Sequence, residues 1–139
     1  MDGRKFLNPA LVLAGQGAEE HWRAATGRAY DALFLECRDT LIRWGHVPAR
    51  RDNVHTFVRL RFTRNAHADL RSIGADLEEL SQRRNEADYQ TVSPGSFATS
   101  SAAQRCIQKA RDAIALLDQI TSDPTQETAA IAAIQAAWP

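Results

Sequence analysis

Residues 18–45 read AEEHWRAATGRAYDALFLECRDTLIRWG, and within them Trp22, Ala25, Ala29, Leu33, Cys37, Leu41 and Trp44 recur at steps of three and four. Tyr30 and Phe34 widen the same apolar face. That spacing predicts a long helix buried along one side, stopped at Gly45 and followed by Pro48. Gly27 interrupts it. A glycine inside a helix costs about 1 kcal/mol relative to alanine, which predicts a close helix contact or a bend at that point.

Working outward, Asn8-Pro9 has the form of an N-cap followed by proline at the first helical position, and Gly15-Gln16-Gly17 ends the short helix that follows. Asp52 or Asn53 is placed to cap a third helix carrying Val54, Phe57, Val58, Leu60 and Phe62. Leu70, Ile73, Leu77 and Leu80 mark a fourth, over residues 68–89. Residues 91–101 are rich in Ser, Thr, Pro and Gly and read as a loop, after which Ser100 or Ser101 opens a fifth helix with Ala103, Ile107, Ala110, Ile114 and Leu117 on one face. Beyond Ser122-Asp123-Pro124, an Ala-rich segment carries Ile131, Ile134 and Trp138. No run alternates at the period of a strand. The expectation is an all-α, up-and-down four-helix bundle over residues 1–125, with a short extra N-terminal helix, and an Ala-rich helical tail over 126–139.

At 139 residues the chain suits one domain. Seventeen basic residues balance seventeen acidic ones, so no global field draws it to nucleic acid or to an anionic membrane, and any polyanion site must be local. Arginine outnumbers lysine fifteen to two. Its planar fork suits phosphate and carboxylate, although base composition of a genome produces the same bias. Cys37 and Cys106 lack metal-ligand spacing and sit in apolar-periodic segments, as small buried thiols do. Four scattered histidines suggest no metal site, and no cofactor is expected. No apolar run spans a membrane, and a cytoplasmic location is expected.

The densest polar cluster is Arg83-Arg84-Asn85-Glu86-Ala87-Asp88-Tyr89, at the end of the fourth helix. Two guanidiniums, an amide, carboxylates and a phenol suit a phosphodiester, and they equally suit a solvated helix end in which Glu79 pairs with Arg83 and Arg84 with Asp88. A second cluster, Arg28-Ala29-Tyr30-Asp31-Ala32-Leu33-Phe34, puts an ion pair beside an aromatic pair. Between them, residues 50–64 hold Arg50, Arg51, Arg59, Arg61 and Arg64 with Phe57 and Phe62 interleaved, either a local basic patch for an RNA backbone or a solvated face.

The Arg28–Phe34 stretch, Gly45-His46, Val54–Val58 and the Arg-x-x-Ala-Asp-Tyr form at 84–89 occur in the order and spacing of HEPN domains, and the chain resembles that family over roughly residues 8–120. The resemblance implies a helical homodimer that binds nucleotide or RNA through Arg84, Asn85, Asp88, Tyr89 and Arg28. It implies a prokaryotic toxin–antitoxin or defence setting with a minimal nucleotidyltransferase as partner, and Tyr89 as a target for nucleotide transfer. Active relatives are metal-independent endoribonucleases carrying a histidine four to six residues after the motif arginine. Here Asp88, Tyr89 and the loop residues after them occupy that window. Beside this reading stand a ribonuclease toxin using Arg83 or Arg84 with a non-standard acid/base, for which His55, His46 and Asp88 are the candidates, and a structural dimerisation or adaptor module.

Overall fold

The computed structural model describes residues 3–89 and 100–139, with Tyr89 described in its backbone alone. Among these residues all regular structure is helical: a 3-10 turn at Gly3–Phe6, then α1 (Leu7–Ala14), α2 (Glu19–Arg43), α3 (Val54–Thr63), α4 (Ala68–Tyr89), α5 (Ser101–Ser122) and α6 (Pro124–Ala137). The bundle expected from periodicity is present, with α2 to α5 as its four helices and α1 and α6 as the terminal additions. The serine-rich stretch predicted as a loop lies outside the described residues from 90 to 99.

Each predicted stripe faces inward. Leu33, Leu41, Phe62, Leu70, Ile73, Leu80, Ile120 and Ile134 lose essentially all contact with solvent. Burial of an aliphatic or aromatic side chain of this size stabilises by about 1.5–3 kcal/mol, so the core and not helix propensity holds the bundle. Helix α2 packs against α1, α4 and α5 and is the central element. Both cysteines are buried and free.

Local chemistry sets the boundaries. Gly45 adopts φ of 91°, and the His46 N–H donates to the Leu41 carbonyl at 2.8 Å, closing α2 with a left-handed C-cap. Asn53, not Asp52, caps α3: its side chain accepts from the Thr56 N–H at 3.1 Å, while Asp52 accepts from the Ala49 N–H at 2.7 Å. Asp123 caps α6 with Pro124 at its first position, so the tail helix begins earlier than its apolar spacing suggested. The Asn8-Pro9 cap is corrected. The chain is already helical from Gly3, which leaves Asn8 inside α1 with no capping role. Ser100 precedes α5, but its side chain makes no capping bond.

Two glycines behave in opposite ways. At Gly74 a Cβ would stand 2.8 Å from the Phe62 carbonyl carbon and 2.8 Å from the Thr63 methyl, so α4 crosses the end of α3 at backbone distance. At Gly27 nothing lies within 4 Å of the Cβ position, and its φ is not positive. The close contact expected at Gly27 is therefore absent, and α2 continues through it unbroken.

The tail packs on its own chain. Trp138 Nε1 donates to the Arg64 carbonyl at 3.1 Å, and the Trp138 ring stacks against the Arg61 guanidinium, 4.4 Å from its centre. Arg61 also lies 3.5 Å from the centre of the Phe57 ring, and Phe62 is fully buried. The sequence of arginines and phenylalanines from 50 to 64 thus splits between core and surface. Arg61 and both rings are spent in packing, while Arg50, Arg51 and Arg64 remain exposed.

Candidate functional site

Helices α2 and α4 run antiparallel, and one side chain ties the start of α2 to the end of α4. Arg23, near the start of α2, donates to the carbonyls of Glu86 at 3.1 Å and Ala87 at 3.0 Å. Carbonyls in the last turn of a helix lack intrahelical partners and carry negative partial charge, so a guanidinium satisfies both needs. The last turn of α4 is thereby held against the first half of α2.

This antiparallel packing brings Arg84 and Asp88 of α4 to Gly27, Arg28 and Asp31 of α2, and these residues with Ala24 line an open cup of about 220 Å3. Arg28 Nη1 lies 3.8 Å from one Asp31 oxygen and Arg84 Nη1 lies 3.8 Å from the other. Arg84 Nε is 3.5 Å from Asp88. These are ion pairs at long distance. Arg28 also lies 5.6 Å from the centre of the Phe6 ring, but neither guanidinium makes a hydrogen bond to another described residue, so N–H donors of both line the cup without a hydrogen-bond partner there. Gly27 leaves its floor open.

Across Tyr30 from the cup lies a smaller slot of about 140 Å3 between α2, α3 and α4. Tyr30 lines the slot and contacts a cup residue: the Arg84 guanidinium carbon stands 5.3 Å from its ring centre, and its hydroxyl is 2.7 Å from His55 Nδ1. Burial, opposed by Arg84, pushes the Tyr30 phenol up to about 12, so it is neutral at physiological pH. Burial and the nearby Arg84 charge lower the His55 pKa below 6.5, so its imidazole is neutral as well. A neutral phenol and a neutral imidazole 2.7 Å apart share one proton, leaving His55 Nε2 free of this bond.

The remaining candidates separate. Arg83 points away from Arg84, because successive residues on a helix diverge by about 100°. It lines a groove of about 300 Å3 between α4 and α5 with Arg105 and Lys109. There it bonds Glu86 at 3.1 Å, while Glu79, its expected partner, pairs with Lys109 at 3.0 Å. A long-range cation on α5 displaces the local i,i+4 pair. Asn85 is exposed and lines neither the cup nor the slot. His46 lies past the far end of α2 beside Arg61, roughly 25 Å along the helix from Arg28, and so cannot serve Arg84. Tyr89 ends α4, and its side chain is outside the described atoms. No group of three or more His, Cys, Asp or Glu among the described residues is arranged to hold a metal ion, and no described helix is long and apolar enough to cross a membrane.

The model of the HEPN domain matches residues 3–120. The chain belongs to the HEPN domain family. Neither the curated proteins nor the solved structures contain a match to it. As a HEPN chain, its function falls within the nucleotide- and RNA-related range of that family. The site residues added here by geometry are Gly27, Asp31, Tyr30 and Arg23. Gly27 was visible in sequence as an unexplained mid-helix glycine. Arg23 left no sequence signal, since a carbonyl-capping arginine on another helix has no spacing of its own.

Proposed function

We propose that this HEPN protein binds the phosphate of a nucleotide or RNA in the cup between α2 and α4, with Arg28 and Arg84 as the anion-binding pair. The observation that carries this reading is the pair of guanidiniums flanking Asp31 at 3.8 Å without a hydrogen bond. Exposed ion pairs are worth about 0–1 kcal/mol, so a phosphate offering bidentate, charge-assisted bonds exchanges favourably for them. The larger α4–α5 groove is a weaker candidate, because Arg83 and Lys109 are engaged there at 3.1 and 3.0 Å. Asp31 holds the two arginines apart and oriented; Asp88 steadies Arg84.

The family supports the wider setting: a homodimer, partnered by a minimal nucleotidyltransferase in a toxin–antitoxin or defence-type system, with Tyr89 at the helix end as the group available for modification. Binding of a labelled oligoribonucleotide, followed by fluorescence anisotropy, tests the core of this reading. Arg84→Ala should weaken it at least tenfold, since a hydrogen bond to a charged group contributes about 1.5–3 kcal/mol. Arg83→Ala should leave it nearly unchanged. Equal affinity in the Arg84 variant would refute the reading.

The bond between Tyr30 and His55 favours a second reading, a metal-independent endoribonuclease. A neutral imidazole beside Arg84 has the protonation state of a general base for a 2′-hydroxyl, and Arg84 would stabilise charge on the phosphoryl oxygens. RNA cleavage in the presence of a chelator, lost in both His55→Ala and Arg84→Ala, would establish it. Intact RNA with undiminished binding leaves the protein a binding module.

A further inference from the structure

We propose that the slot beside the cup receives a nucleobase, so that the ligand unit is a nucleoside monophosphate with its base against His55 and its phosphate between Arg28 and Arg84. The inference rests on the phosphate reading and supplies the other half of the ligand. Three aromatic rings form a shelf there. Tyr30 and Phe34 lie 5.9 Å apart between centres at 18°, Phe34 and His55 4.2 Å apart at 18°, and Tyr30 and His55 5.8 Å apart at 20°. Tyr30 and Phe34 are buried, whereas His55 is exposed. The stack therefore ends in a ring with a face turned to solvent. The Tyr30 hydroxyl holds that ring in its plane at 2.7 Å, which removes most of the ordering cost of stacking something on it.

Size and rim point to a base. A cavity of about 140 Å3 is well below the several hundred Å3 of sites that enclose drug-sized ligands, and it suits one flat ring system. Asn53, Thr56, Arg59 and Ser81 also line it, offering donors and acceptors at the edge of a stacked ring. Tyr30 lines the slot and links it to the cup, with the cup residue Arg84 over its ring and His55 at its hydroxyl. Base and phosphate subsites one tyrosine apart match the two ends of a single nucleotide.

Calorimetric titration with adenosine monophosphate and with ribose 5-phosphate, which has the same sugar and phosphate and no base, tests this. The expected result is adenosine monophosphate binding on the order of tenfold tighter, the effect of one stacked base. His55→Ala should erase that advantage while leaving ribose 5-phosphate unchanged, and His55→Phe should keep it, since a flat ring remains. Arg84→Ala should weaken both ligands. Equal affinities for the two ligands, or an advantage that survives His55→Ala, would overturn the base slot and leave the phosphate cup standing. If neither small ligand binds but an oligoriboadenylate does, the source is an RNA strand. The same His55 variants measured against an abasic oligomer then decide between the same two outcomes. If no phosphate-bearing ligand binds at all, the cup fails and the slot fails with it.

Discussion

Gly27→Ala should make the protein more stable and less able to bind. The backbone at Gly27 is helical and no heavy atom lies within 4 Å of the Cβ position, so alanine meets no clash and adds no buried polar group. Removing the conformational freedom of a mid-helix glycine stabilises by about 0.5–1 kcal/mol. For a chain of 139 residues this raises Tm by roughly 2–3 °C. The same methyl projects into the cup that Gly27 lines with Arg28, Asp31 and Arg84. Crowding a packed ligand by one methyl costs about 1–3 kcal/mol, so affinity for a phosphate-bearing ligand should fall about tenfold. Thermal denaturation followed by circular dichroism and a ligand titration on the same sample give both signs. A lower Tm would mean the helix needs glycine for its own packing. Unchanged affinity would mean the cup is not where the ligand sits.

The other glycine supplies the contrast: Gly74→Ala forces a Cβ to within 2.8 Å of Phe62 and Thr63 and should lower stability by about 1–3 kcal/mol, read as a reduced urea midpoint. Arg23→Ala should free the last turn of α4, raising amide exchange at residues 84–88 and weakening phosphate binding although Arg23 is not in the cup. Stability should also fall with acid. His46 and His55 both have folded pKa values lowered below 6.5, chiefly by burial, so the unfolded chain binds protons first as pH drops through 6.5. With more protons on the unfolded state, stability rises with pH across that window and is lost below it. The Tm should decline between about pH 7.5 and about pH 5.5, and less so in a His46→Gln, His55→Phe double variant.

Periodicity made the bundle legible. The stripes Leu70–Leu80 and Ala103–Leu117 are one-sided at 3.6 residues per turn, and all nine named positions in them prove to be core. Caps were readable where side chain and helix start coincide, as at Asn53, and misleading at Asn8, where an upstream 3-10 turn had already begun the helix. The site was only half legible. Arg28, Arg84 and Asp88 carried the right chemistry, but spacing along one helix cannot say that α2 and α4 meet there. Nor can it say that Arg83, one residue away, faces α5. Glu79 shows why: local pairing rules favour Arg83, yet Lys109 from another helix takes the carboxylate. The His55–Tyr30 bond likewise depends on how the connection after Gly45 returns α3 to the middle of α2, and no local pattern encodes that.

The most direct test of the cup follows the arginine side chains themselves. In a titration of the isotopically labelled protein with adenosine monophosphate, the Nε–Hε resonances of Arg84 and Arg28 should move together with one dissociation constant. Those of Arg83 and Arg105, in the groove between α4 and α5, should remain still. Movement at Arg83 and Arg105 with Arg84 and Arg28 unmoved would contradict it and transfer the site to the α4–α5 groove.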